Sequence, residues 1–169
     1  LALPLVALGC HGPLLASFSD DPEVSSAVVL LSVPASFVIV QRLSRNIEVT
    51  RAQSDLAFDG AKRGWAVGAG ALYVLAGDAP DGKVYRFVGL ASALGGSVFG
   101  FRRARSFTDG EAQASTTLSN FGALTAFGLL GTADALRDGN GRAIVGTLLT
   151  AGVAGYALGP RYARQPGYS

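Results

Sequence analysis

Residues 96–105 read GSVFGFRRAR, and residues 155–164 read GYALGPRYAR, the same pattern 59 positions later. In both, Gly-x-x-x-Gly leads into Arg-x-x-Arg, so Gly96, Gly100, Arg102 and Arg105 correspond to Gly155, Gly159, Arg161 and Arg164. Sixty residues upstream, QRLSR supplies Arg42 and Arg45. The words that follow also recur, RAQS at 51–54 and EAQA at 111–114. An acidic turn precedes each apolar run that ends in the arginines: SDDPE at 19–23, GDAPDGK at 77–83 and ADALRDGNGR at 133–142. Another apolar run precedes each turn. Self-similarity at a fixed long period marks a repeated supersecondary unit. The unit is an apolar segment, an acidic turn, a second apolar segment, an arginine pair and a polar linker.

The repeat divides the chain into hairpin unit 1 over 1–45, a linker over 46–56, unit 2 over 57–105, a linker over 106–113, unit 3 over 114–164 and a tail over 165–169. The chain begins and ends at unit edges, as a piece of a longer repeat protein would. LALPLVALGC at 1–10 also resembles the end of a lipoprotein signal with Cys10 as the lipid-bearing residue, but no charged n-region precedes it. The repeat assigns the same stretch to the first segment of unit 1.

Of the 169 residues, 49% are hydrophobic and only 15% charged, with 23 glycines. Soluble domains carry about 25% charged residues. A net charge of +2, without a basic stripe, gives no sign of nucleic-acid binding. One Cys and one His leave no disulfide framework within the chain and no multi-ligand Cys/His metal site.

Residues 24–40 and 143–160 are free of charge, and 84–101 carries only Arg86. Residues 1–19 and 112–133 are also uncharged. As helices, 17 or 18 residues extend about 26 Å, near the roughly 30 Å of a hydrocarbon layer. The weak member is the first segment of unit 2, uncharged only over 64–77, where Lys62 and Arg63 must snorkel or the segment sits shallowly. Val-rich runs and Pro34 speak for strand, but transmembrane strands need only about 9–11 residues of alternating polarity. Small residues instead recur every fourth position: Ser92, Gly96 and Gly100, then Thr147, Ala151, Gly155 and Gly159, with Ser32 and Ser36 keeping the rhythm in unit 1. That spacing places them on one helical face, where small residues let backbones approach. The expected fold is an all-α membrane protein of three tandem helical hairpins, about six membrane segments, with small-xxx-small packing faces. The arginine pairs Arg42/Arg45, Arg102/Arg105 and Arg161/Arg164 become interfacial anchors at the negative ends of helix dipoles, within reach of lipid phosphates.

Charge divides by side. The turns hold seven acidic and four basic residues, and the linkers with the C-terminal end hold ten basic and five acidic. By the positive-inside rule the linkers are cytoplasmic in an inner membrane, while an outer-membrane location stays open.

Paired Gly-rich segments around an Asp/Gly turn resemble the glycine-zipper membrane hairpins of bacterial envelope proteins. The carrying residues are Gly64, Gly68, Gly70, Gly89, Gly96 and Gly100 in unit 2, and Gly122, Gly128, Gly131, Gly155 and Gly159 in unit 3. Unit 1 departs from the pattern. The resemblance implies membrane association and self-packing, and brings no catalytic residues with it.

No constellation for chemistry emerges. Cys10–His11 lacks the partners of a nucleophilic dyad or haem site. Asp78–Asp81 and Asp134–Asp138 read as solvated turns with Asp as helix N-cap, with hard-cation binding the sharper alternative. GAGALYVLAG at 68–77 has no strand–turn–helix context for a dinucleotide. Trp65 and Tyr85 read as interfacial anchors. The expectation is a non-catalytic integral membrane scaffold or accessory subunit, without cofactor or metal, that packs through its glycine-rich helix faces in a larger or self-assembled complex, its partners being the lipid bilayer and either copies of itself or another membrane protein. A channel or transporter built from the same hairpins is the alternative, with His11 and Pro34 the available midplane features.

Overall fold

The computed structural model describes residues 16, 19, 21–44, 48–77 and 80–165. They are all-helical: α1 is Pro22–Ser44, α2 Arg51–Ala76, α3 Gly82–Arg103, α4 Asp109–Thr132, α5 the single turn Ala135–Asp138, and α6 Gly141–Ala163, with a 3-10 turn at Ala104–Ser106. Consecutive long helices pack as pairs, α2 on α3 and α4 on α6, and the pairs meet mainly where α2 lies against α4 and α6. The first apolar segment, 1–19, lies outside the described residues apart from Ala16 and Ser19, as do Cys10, His11, Arg45 and Asp78.

Local chemistry sets the helix ends. Thr50 and Thr108 begin α2 and α4 with the same device: each side chain accepts the N–H three residues on, and that residue, Gln53 or Glu111, reaches back to the threonine N–H. This reciprocal capping box satisfies two otherwise orphaned donors. Both helices therefore start inside the stretches 46–56 and 106–113 that the repeat treats as linker. Asp81 caps α3 by accepting the Lys83 N–H, and Asn140 caps α6 by accepting that of Arg142. Gly77 closes α2 at φ 65°, a left-handed conformation that costs glycine little.

The packing is inverted relative to a water-soluble bundle. Fully buried positions are mostly small, among them Ala52, Ala61, Ala93, Ala104, Ser115 and Ser119, and the largest fully buried side chain is Leu56. The large apolar side chains face outward: Leu75 is 82% exposed, Leu124 69%, Phe121 66% and Phe87 63%. Ala52, Leu56, Ala104 and Ala112 form the one hydrophobic cluster among the described residues, with Phe107 and Tyr156 packed on it. It lies at the linker end, where α2 and α4 begin and α3 and α6 finish.

The expectation of about six membrane segments needs correction. Among the described residues two stretches are long and apolar enough to cross a membrane, Gly82–Ser106 (α3 with its 3-10 turn) and Gly141–Ala163 (α6). α2 falls short because Arg51, Asp55, Asp59, Lys62 and Arg63 occupy its first half. α4 opens with Asp109 and Glu111 and continues through Gln113, Ser115, Thr116, Thr117, Ser119 and Asn120. α1, which continues through Pro34, is only partly described.

Candidate functional site

The small residues meet along two antiparallel seams. Between α2 and α3, a side chain at Gly100 would run into the Leu56 carbonyl oxygen, one at Gly96 into that of Gly60, and one at Gly64 into that of Ser92. Contacts advance four residues on one helix as they retreat four on the other, so the backbones touch once per turn. Gly68 continues the seam against the Ser92 side chain. Between α4 and α6, Gly159 lies on the Ser115 backbone, Gly155 on the Leu118 carbonyl and Gly122 on the Ala151 carbonyl. All six small residues singled out from the sequence, Ser92, Gly96, Gly100, Ala151, Gly155 and Gly159, sit on these seams. The glycine faces are thus occupied within each helix pair. Thr147 lies off the seam, exposed, donating to the Ala143 carbonyl at 2.8 Å. Gly60 carries as close an approach as Gly96, and the four-residue rhythm read on α3 did not extend to it.

The arginine pairs separate in role. Arg42, Arg102, Arg105 and Arg161 are exposed. Arg164 donates from Nε to Glu111 Oε1, tying the end of α6 to the start of α4. The Thr108 N–H donates to Glu111 Oε2 at 2.7 Å. These hydrogen bonds, that of Thr108 first, hold the Glu111 carboxyl below the usual carboxylate range. Glu111 sits in the polar first turn of α4, before the uncharged stretch 112–133.

Two further cations are structural: Arg103, to which the sequence assigned no role, and Arg63, to which it assigned a different one. Arg103, between the paired positions, lies half-buried with its guanidinium 5.4 Å from the Phe107 ring centre and 5.9 Å from those of Phe99 and Tyr156. Its Nε and the Tyr156 hydroxyl find no hydrogen-bond partner among the described residues. Arg63, expected to snorkel, instead turns into the bundle. It pairs with Asp59 one turn back, donates to the Ser119 hydroxyl, and bonds the Thr116 carbonyl at 3.1 Å and Asn120 Oδ1 at 2.9 Å. Asp59 is only 4% exposed. Lys62 stays outside, 4.5 Å from the Phe58 ring centre and 3.7 Å from Asp59. The helix pairs are also joined where the Ala52 N–H donates to Asp109 Oδ1 at 3.1 Å. The Asp59–Arg63 pair lies within α2; the bonds from Arg63 to Ser119, Thr116 and Asn120 are what align α2 with α4, because a shift of either helix would leave the guanidinium without those acceptors.

The aromatic anchors are engaged as well: the Trp65 indole covers Gly89 in the α2–α3 seam, and the Tyr85 hydroxyl donates to the Gly77 carbonyl. Asp81 is a helix cap, and Asp134 adopts a left-handed turn at φ 54°. Among the described residues no three His, Cys, Asp or Glu side chains gather as a metal site. Comparison of the chain with protein-family models, with curated proteins and with solved structures finds no match in any of the three.

Proposed function

We propose that this chain is a non-catalytic integral membrane scaffold or accessory subunit, in which glycine seams close each hairpin and the outer apolar faces meet lipid and a partner. The observation that carries the reading is the inverted packing. Only 17% of the apolar window of Gly82–Ser106 and 11% of that of Gly141–Ala163 is buried, whereas the core helix of a soluble protein buries most of it. Exposed apolar surface on this scale marks lipid or protein contact. Close backbone approach through small residues is how membrane helices associate, since hydrophobicity distinguishes them little from lipid.

In this reading α3 and α6 are the lipid-facing spans of an inner-membrane bundle, with the basic linkers cytoplasmic and the acidic turns outside. α2 and α4 complete their hairpins by sheltering polar groups, such as Arg63 with Asp59, in helix–helix contacts rather than against lipid. A partner, another copy or a different membrane protein, would dock on the apolar outer faces. Carbonate washing should leave the protein in the membrane pellet, and mild detergent should extract it in a stable complex. Release by carbonate would overturn the proposal. For topology, Cys replacements at Asp78 and Asp134 in a Cys10-free background should label alike with an impermeant thiol reagent, and one at Arg105 oppositely. A channel or transporter is the second reading, favoured by the buried Asp59–Arg63 pair, since ionisable groups among membrane helices mark conduction paths. Ion flux through the purified protein in liposomes, abolished by Asp59→Asn, would support it over the scaffold.

A further inference from the structure

Gly95 and Gly96 are neighbours with opposite surroundings. A side chain at Gly96 would strike the backbone of Gly60, while beyond its chain neighbours and its own helix backbone no atom lies within 4 Å of where one at Gly95 would begin. The seam therefore does not account for Gly95. It lines an open groove of about 550 Å³ on the outer side of α3, together with Val98, Phe99, Arg102 and Arg103. Val98 and Phe99 are 53% and 57% exposed, so the groove has an apolar wall. The arginines stand at its far end, in the last turn of α3, about 10 Å along the helix from Gly95.

The two cations differ in access. The Arg102 side chain is exposed, while the half-buried Arg103 guanidinium rests against three aromatic rings with its Nε enclosed, and adds its charge at the same end of the groove. Arginine forks match the oxygens of a phosphodiester, and weak hydration suits a guanidinium to a site half in hydrocarbon. We propose that this groove binds one anionic glycerophospholipid, its phosphate held by Arg102 and Arg103 and its acyl chain lying over Gly95 along Val98 and Phe99. Two positive charges with no carboxylate among the lining residues select an anionic headgroup over a zwitterionic one. The absent side chain at Gly95 leaves the chain its path. The proposal rests on the membrane reading above and adds to it a defined ligand.

The test compares phosphatidylglycerol with phosphatidylcholine of identical acyl chains in bilayer nanodiscs, scoring lipid retained by the purified full chain with native mass spectrometry. The wild type should retain phosphatidylglycerol preferentially. Arg102→Gln should weaken that preference about fivefold, the equivalent of one guanidinium near an anionic surface. Gly95→Leu should abolish it by filling the groove, with thermal stability unchanged because nothing packs there. Arg103 is left in place, since its ring contacts make its removal a change of packing as well as of charge. Equal retention of the two lipids by the wild type, or wild-type preference in Gly95→Leu, would overturn the proposal. So would displacement of the bound lipid by millimolar inorganic phosphate with Gly95→Leu showing no effect. Carbonate washing of the same proteins separates the two claims: wild type in the pellet without lipid preference refutes the site alone, and wild type in the supernatant refutes the membrane reading on which it rests.

Discussion

The helix pairs α2–α3 and α4–α6 share a backbone arrangement and differ in the chemistry mounted on it. Both begin with a threonine capping box, and both close on an antiparallel seam that touches every fourth residue. At equivalent places, however, the first pair puts Gly60 and the second Ser119. Gly60 lets α3 rest directly on α2. The Ser119 hydroxyl instead bonds both Arg63, across the interface, and the Gly152 carbonyl of its own pair at 2.5 Å. One pair supplies the charges, Asp59 and Arg63, and the other supplies the acceptors Ser119, Thr116 and Asn120. Two helix pairs can thus share their backbone contacts and still carry complementary chemistry.

That division is most exposed to breakage at Arg63. Arg63→Ala leaves buried Asp59 with only the exposed Lys62 at 3.7 Å and strips α4 of its cross-pair donor, and should cost about 2–4 kcal/mol of stability in detergent unfolding. Ser119→Ala removes one acceptor and should cost less, about 1.5–3 kcal/mol. A loss at Arg63 no larger than at exposed Arg51 would show that the pairs are not docked through it.

The shared backbone is challenged next. Gly96→Leu and Gly155→Leu press side chains against a facing carbonyl, and should each cost about 1–3 kcal/mol or more. Equal losses at the two positions would sharpen the equivalence of the seams, and loss at one alone would break it.

Acid should tell the pairs apart more gently. Glu111 caps α4 with a depressed pKa, whereas Gln53 does the same for α2 and does not titrate. A carboxyl whose folded pKa is lowered adds stability at pH above its unfolded value, and that contribution disappears as pH falls through the lower, folded value. Acidification below the usual carboxylate range should therefore loosen α4–α6 before α2–α3, as seen by hydrogen exchange. Glu111→Gln should remove the pH dependence, at a cost of about 1 kcal/mol. The smallest effect belongs to Gly128, which has open space beside it: Gly128→Ala should alter stability by less than about 0.5 kcal/mol.

The helices and their pairing are legible in the sequence because glycine at every fourth position, followed by arginine, has few other uses at that length. Gly96, Gly100, Gly155 and Gly159 could be picked out individually for that reason. The partner face was harder to read, since Gly60 stands among charges and Leu56 and Ser115 are not uniformly small. The capping boxes at 50–53 and 108–111 were open to view, but the recurring words RAQS and EAQA drew the alignment two residues away from them. The fate of Arg63 could not be read from α2 alone. A cation four residues after an aspartate suits an exposed helical pair equally well, and only the hydroxyl and amide groups of α4, over fifty residues away, turn it inward. The same polar groups keep α2 and α4 below the apolarity of a free-standing membrane span, so an estimate from segment length alone overstated the number of helices apolar enough to span by themselves.

The inverted packing itself can be tested through the chain's single tryptophan. Trp65 is 45% exposed, about 21 Å along α2 from its start at Arg51. Reconstituted in bilayers whose acyl chains carry bromine, the protein should show strong quenching of Trp65 emission, and aqueous iodide should quench it little. Emission untouched by brominated chains and quenched by iodide would place this face in water, and would contradict a bundle that turns its large apolar side chains toward lipid.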